Sequence, residues 1–226
     1  FGLILISSRQ SEIFTIGLPA LGTTFVSCFG YIAFARMVSG MGTTIFAAHS
    51  IAITAEQIVY IPGYGLRVAT STLVGNALGE KDIRKLKATE RVSILITLLI
   101  MVVNGIGLYL FAYPFMRLFT NSDNAARIGS EMLRLVSFSE PFFGLMIVLE
   151  GISYGMGRTK HVFACEAVSM WGIRIFGTFL CVNVFGLGLK AVWLCMIADN
   201  ICKAILLYIF RPKHVEENAD DRGALR

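Results

Sequence analysis

The sequence predicts an all-α membrane protein, a bundle of six transmembrane helices. Three observations carry that expectation. Stretches 13–38, 44–78, 92–112, 126–154, 162–184 and 189–210 are each apolar and long enough to cross a bilayer. A hydrocarbon core of roughly 30 Å takes about 20 helical residues. Hydrophobic residues make up 55% of the chain and charged ones only 15%, too little polar surface for an ordinary soluble domain. Basic residues also gather at alternate connections between the stretches, which an odd number of crossings would break.

Residues 1–12 read as a cytoplasmic lead-in carrying Arg9. The opening Phe1-Gly2-Leu3, without an initiator methionine, is what the C-terminal part of a larger membrane protein would show. The first span holds Pro19, then Thr23, Thr24 and Ser27, with Gly17, Gly22 and Gly30 between them. Small residues let membrane helices approach closely, and a backbone carbonyl freed by proline calls for a hydroxyl or water. The second span is too long for one straight crossing. Pro62-Gly63-Tyr64-Gly65 predicts an end or a kink there, with Arg67 to Leu78 emerging into the cytoplasm. A loop follows at Glu80-Lys81-Asp82, then an interfacial amphipathic turn over Arg84 to Arg91.

The third span is apolar except for Ser93, Thr97 and Asn104, which makes it the lipid-facing candidate. Residues 113–125 read as an external loop, with Tyr113-Pro114-Phe115 where aromatic belts sit. The fourth span carries Glu140-Pro141 at its midpoint. The fifth carries Glu166 near its cytoplasmic end and Arg174 at its middle, and the sixth carries Asp199 and Lys203. The residues 13–211 thus form one six-span unit, and 212–226 form a charged, disordered cytoplasmic tail.

Orientation follows from the lysines and arginines. Lys81, Arg84, Lys85, Lys87, Arg91, Arg158, Lys160 and the tail's Arg211, Lys213, Arg222 and Arg226 fall on one side, with Arg9. The other side has Arg117, Arg127 and Lys190. Both ends are therefore expected in the cytoplasm, in the plasma (inner) membrane. This bias explains the net charge of +5 without a nucleic-acid partner; the partner it implies is the lipid bilayer. The five cysteines stand singly inside spans, without a Cys-x-x-Cys pair, so neither a zinc site nor a disulfide framework is expected. No nucleotide loop, nucleophile elbow or zinc-protease motif is present, so the chain does not read as an enzyme and calls for no cofactor. Without a nucleotide site of its own, any energy coupling would come from an ion gradient.

An ionisable group at membrane depth costs a few kcal/mol on insertion scales. Here His49, Glu56, Arg67, Glu140, Glu150, Glu166, Arg174, Asp199 and Lys203 all incur that cost. His49 and Glu56 are seven residues apart and share a helix face, which Tyr60 extends and Gln57 borders. Two readings of that stripe stand level: a proton or cation pathway, or a polar network joining two helices. Glu140 beside a helix-kinking proline has the form of a transporter ion site; the competing reading is a salt bridge to Arg134 or another span. Asp199 and Lys203, at i, i+4, are expected to neutralise each other, with Arg174 close by as a third structural charge. Arg127 and Glu131 have the same spacing and the same structural reading. Glu166 and Arg67 lie where snorkelling lowers their cost.

Several short motifs recur in order: Gly17-Leu18-Pro19; Leu73-Val74-Gly75-Asn76-Ala77-Leu78-Gly79 with Lys81-Asp82; and Leu149-Glu150-Gly151 leading into Gly155-Met156-Gly157-Arg158-Thr159-Lys160. Trp171-Gly172-Ile173-Arg174-Ile175 and Gly186-Leu187-Gly188-Leu189-Lys190-Ala191-Val192-Trp193, with Asp199 after it, complete the series. In that order and spacing they resemble the C-terminal lobe of the MATE (multidrug and toxic compound extrusion) transporters, over about residues 13–211. The resemblance implies half of a 12-helix, two-lobe transporter whose N-terminal six-helix lobe lies outside this chain. It implies secondary active export of small organic cations in exchange for Na⁺ or H⁺. Some branches of the family carry a coupling Glu eight residues after the first-span proline; here that position is Ser27. Glu140 and Glu56 then become the substitute candidates, with His49, Gln57 and Tyr60 beside them, unless coupling belongs to the other lobe. A lipid-linked precursor flippase of the same superfamily and an inactive fragment are the alternatives; the midplane acids favour cationic cargo over the flippase.

Overall fold

The computed structural model describes residues 2–210. The expected disordered tail, 212–226, lies outside the described residues. Eight α-helices follow one another, with no strand among the described residues: α1 (Gly2–Ser39), α2 (Thr43–Gly79), α3 (Ile83–Arg117), α4 (Asp123–Ser137), α5 (Glu140–Gly155), α6 (Thr159–Ser169), α7 (Phe176–Phe179) and α8 (Leu189–Ile209). Two π-helical turns, Met170–Ile175 and Leu180–Val184, flank α7 and join it to α6 in one rod over Thr159–Val184. Five helices have the length and apolarity to cross a membrane, and α4 with α5 makes a sixth crossing when the bent pair is counted as one.

The expected break of the second span does not occur. α2 runs through Pro62 without interruption, because a membrane offers its backbone no competing water partner and the helical bonds on either side persist. Beside Pro62, Gly63 faces Met101, Phe143 and Ile147. The interfacial turn expected at 84–91 is the first part of α3, which starts on an Asp82 cap accepting the Lys85 amide at 2.9 Å. The external loop is also shorter than expected: α3 runs to Arg117, through Pro114, and Ser122 caps α4.

The fourth span does bend where the sequence places a helix-kinking proline. α4 and α5 meet at 60°. Ser139 turns back on the carbonyl of Val136 through both its amide (2.7 Å) and its hydroxyl (2.8 Å). Pro141 then opens α5, where a missing amide hydrogen costs nothing. In α1, the Thr23 hydroxyl donates to the Pro19 carbonyl at 3.0 Å.

The buried face of α3 repeats every three or four residues through Leu86, Glu90, Ser93, Thr97, Met101, Gly105, Leu108, Ala112 and Met116. Its opposite face exposes Val92, Leu95, Leu99, Val103, Ile106 and Leu110, as a helix facing lipid would. Two cores hold the bundle. One centres on Trp193, Met116 and Leu133, the other on Met101, Ile147 and Leu149. α2 and α5 cross closely enough that a methyl on Gly151 would lie 2.7 Å from the Arg67 carbonyl oxygen, and one on Gly155 would lie 2.5 Å from that of Ser71. Gly157, at φ 70, then makes the left-handed turn from α5 into α6. The cysteines are free, but two are not solitary: the Cys181 and Cys195 sulfurs meet at 3.7 Å.

Candidate functional site

A polar cavity of about 580 Å³ opens between α1, α2, α5, α6 and α8. From α1 it is lined by Thr23, Ser27 and Tyr31, and from α2 by Glu56, Gln57, Tyr60, Tyr64 and Arg67. α5 adds Phe143, Glu150 and Tyr154, α6 adds Glu166, the first π-helical turn adds Arg174, and α8 adds Asn200 and Lys203. The close α2–α5 crossing explains one part of this wall. With Gly151 against the Arg67 backbone, the neighbouring Glu150 pairs with the Arg67 guanidinium at 3.0 Å.

The charges at the cavity pair across helices rather than along them. Asp199 pairs with Arg174 at 2.8 Å, not with Lys203 four residues on, and also accepts the Ser169 hydroxyl. Lys203 pairs with Glu166, whose other oxygen accepts the Ser27 hydroxyl at 2.6 Å. An i, i+4 pair needs two long side chains lying along one helix face. Here a neighbouring helix offers each head group a shorter reach and shields the pair from lipid. Arg127 and Glu131 do not pair with each other either: Arg127 bonds Asp123, one turn back on the same helix, at 2.9 Å, and Glu131 bonds Lys190 of α8 at 3.0 Å. Arg174 sits where the π-helical turn widens the helix. Its guanidinium lies 5.5 Å from the centre of the Tyr31 ring and reaches Asn200 Oδ1 at 3.3 Å.

Of the stripe expected on α2, Glu56, Gln57 and Tyr60 line the cavity, with the Tyr60 hydroxyl donating to Glu56 at 2.5 Å. Among the described residues no cation comes within ion-pair distance of Glu56, while Glu150 and Glu166 each have one. His49 is elsewhere. Its Nδ1 accepts the Trp193 indole N–H at 3.2 Å, and its ring packs on Phe34, so it joins α2 to α8 and α1 within the apolar core. Glu140 is fully buried, and neither carboxyl oxygen has a hydrogen-bond partner. It pairs neither with Arg134 nor with another span. It lies against Gly105 of α3 at the start of α5 and is not among the residues lining the cavity, whereas Phe143, one turn on, lines it and stacks on Tyr60 with ring centres 3.7 Å apart. Glu166 and Arg67, expected to snorkel, are instead cavity residues; the signal was their depth, and no spacing rule joins them to partners on other helices.

The sequence model of one family, described as MatE, matches residues 19–180, which is most of the bundle. The chain belongs to the MatE family. A protein of Thermotoga maritima described as a probable multidrug resistance protein NorM is 31% identical over 205 residues, covering 90% of this chain and 44% of the relative. A probable NorM of Photorhabdus laumondii is 28% identical over 200 residues, again with 44% of its length covered. This MatE chain therefore spans a little under half the length of the relatives it matches. The Vibrio cholerae MATE transporter VcmN in its bent form has the same fold, with a TM-score of 0.84 at 16% identity, over 94% of this chain and 48% of that one. So does a MOP superfamily transporter from Pyrococcus furiosus, described by a binding pocket of reverse polarity, with a TM-score of 0.82 at 17% identity, over 88% of this chain and 44% of that one. The MatE chain is an integral membrane protein of this fold.

Proposed function

We propose that this chain is the C-terminal lobe of a secondary active antiporter that exports organic cations in exchange for Na⁺ or H⁺. It would sit in the plasma (inner) membrane with both ends in the cytoplasm, against an N-terminal six-helix lobe. One observation carries the reading: the cavity's charges cancel pairwise and leave Glu56 over. Glu150 is matched by Arg67, Glu166 by Lys203, and Asp199 by Arg174. A single unmatched carboxylate, with Tyr60 as a hydroxyl partner and aromatic rings around it, is a binding place for either an ion or a cationic drug. Competition for that one charge is the simplest form of antiport. Relatives named for multidrug resistance support the same direction. Glu140, fully buried one turn before the cavity-lining Phe143 and without a hydrogen-bond partner, is the second carboxyl of the pathway.

The test is exchange in proteoliposomes holding the intact transporter, with a fluorescent organic cation inside and an imposed H⁺ or Na⁺ gradient. Glu56→Gln should abolish gradient-driven export while the protein still folds, since the amide keeps a partner for Tyr60. Normal export with unchanged ion dependence in that variant would refute the assignment of the cavity.

A further inference from the structure

The Glu166 carboxylate has no oxygen to spare. One oxygen holds the Lys203 ammonium and the other accepts the Ser27 hydroxyl at 2.6 Å. Lys203 and Glu166 are each only 6% exposed, so this is an ion pair inside the bundle at the cavity wall, not a surface contact. The charged groups around Lys203 come from four elements: Asp199 on its own helix, Glu166 on α6, Glu150 on α5, and Arg174 on the first π-helical turn. Two of these acids are held elsewhere, Glu150 by Arg67 and Asp199 by Arg174. Glu166 is thus the acid whose neutralisation depends on Lys203.

The kind of base matters. Arg67 and Arg174 bring planar forks, whereas a lysine ammonium is a compact point charge with three donors. It is the side chain closest in charge and size to a monovalent metal cation. Hard cations are held by several oxygens at once. Glu166 gives one oxygen to the Lys203 ammonium while its other oxygen is held by the Ser27 hydroxyl, so Lys203 supplies this carboxylate's cation from within the chain.

We infer that Lys203 is a tethered counter-cation of the Glu166–Ser27 position and bars free alkali-metal ions from it. The inference rests on the cavity being an ion pathway, and it makes Lys203 a specificity-determining residue for the coupling ion. This lobe takes no Na⁺ at Glu166, which leaves Glu56 as the carboxylate open to exchange.

The test counts ²²Na⁺ bound to the purified intact transporter, at fixed ionic strength with choline as the replacing cation. The wild type and Lys203→Arg should bind the same number of Na⁺ ions. Lys203→Met should bind one more, and the added Glu166→Gln should remove it again. A folded Lys203→Met that binds no more than the wild type would overturn the inference. Where Lys203→Met fails to fold, the double variant Lys203→Met/Glu166→Gln, which removes both charges together, decides alone. A count equal to wild type supports the inference, and one fewer ion overturns it. Because binding is counted without transport, loss of organic-cation export would sink the antiporter reading and leave this result readable.

Discussion

Replacing Asp199 by Asn removes one charge and almost no volume, and the structure says which residue is then stranded. The helical spacing points to Lys203, but the ion pair is with Arg174 at 2.8 Å. Asp199 is fully buried and the Arg174 side chain is 5% exposed, so little water is available to take up the orphaned charge. Breaking such a buried pair costs about 3–5 kcal/mol, against about 0.2–0.5 kcal/mol for an ordinary i, i+4 pair on a helix surface. Asn200 and the nearby Glu56 offer Arg174 partial compensation, so the lower end, about 3 kcal/mol, is expected. Asn still accepts from Ser169, which isolates the charge from the hydrogen bond. The assay is a double-mutant cycle, read as denaturation midpoints of the purified intact protein in mixed detergent micelles. Asp199 should couple to Arg174 by about 2–3 kcal/mol and to Lys203 by less than about 1 kcal/mol. Consequently Arg174→Met should rescue Asp199→Asn, and Lys203→Met should not. A larger coupling to Lys203 would refute the pairing, and a loss below about 1 kcal/mol would refute the burial argument.

Valine at Gly151 or Gly155 should each destabilise by about 1–3 kcal/mol in a detergent thermal melt, because the added carbons meet the α2 backbone at 2.7 and 2.5 Å. Alanine at Gly65 or Gly172, where nothing lies within 4 Å, should leave the melt unchanged or raise it. Glu131→Ala, which breaks an exposed pair with Lys190, should shift stability by less than about 1 kcal/mol, and less still in high salt. In a cysteine-free background, single cysteines at Lys85 and Arg158 should be labelled only from the cytoplasm and one at Ser122 only from outside. Labelling of positions 85 and 158 from opposite faces would end the six-crossing topology.

Crossing a membrane requires a local run of apolar residues, so the spans, the lipid-facing surface of α3 and the charges needing shelter could be read directly from the chain. The family could be read from loop motifs such as Gly155-Met156-Gly157-Arg158, because turns between helices depend on a few neighbouring residues. Glu56, Gln57 and Tyr60 emerged together because one helix face is a property of one segment. The tertiary structure alone decided the rest. Whether proline ends a helix depends on what packs around it: both Pro62 and Pro141 carry the same signal in the sequence, yet α2 continues through Pro62 while the fourth span bends by 60° at Pro141. Whether a buried polar group faces a cavity or a wall depends on the helix opposite, which put Glu166 in the cavity, Glu140 against Gly105 and His49 against Trp193. A buried charge takes the partner whose head group reaches it at the right distance with lipid excluded. That partner came from another helix for Asp199, Lys203 and Glu150 alike, and no spacing along a single helix encodes it.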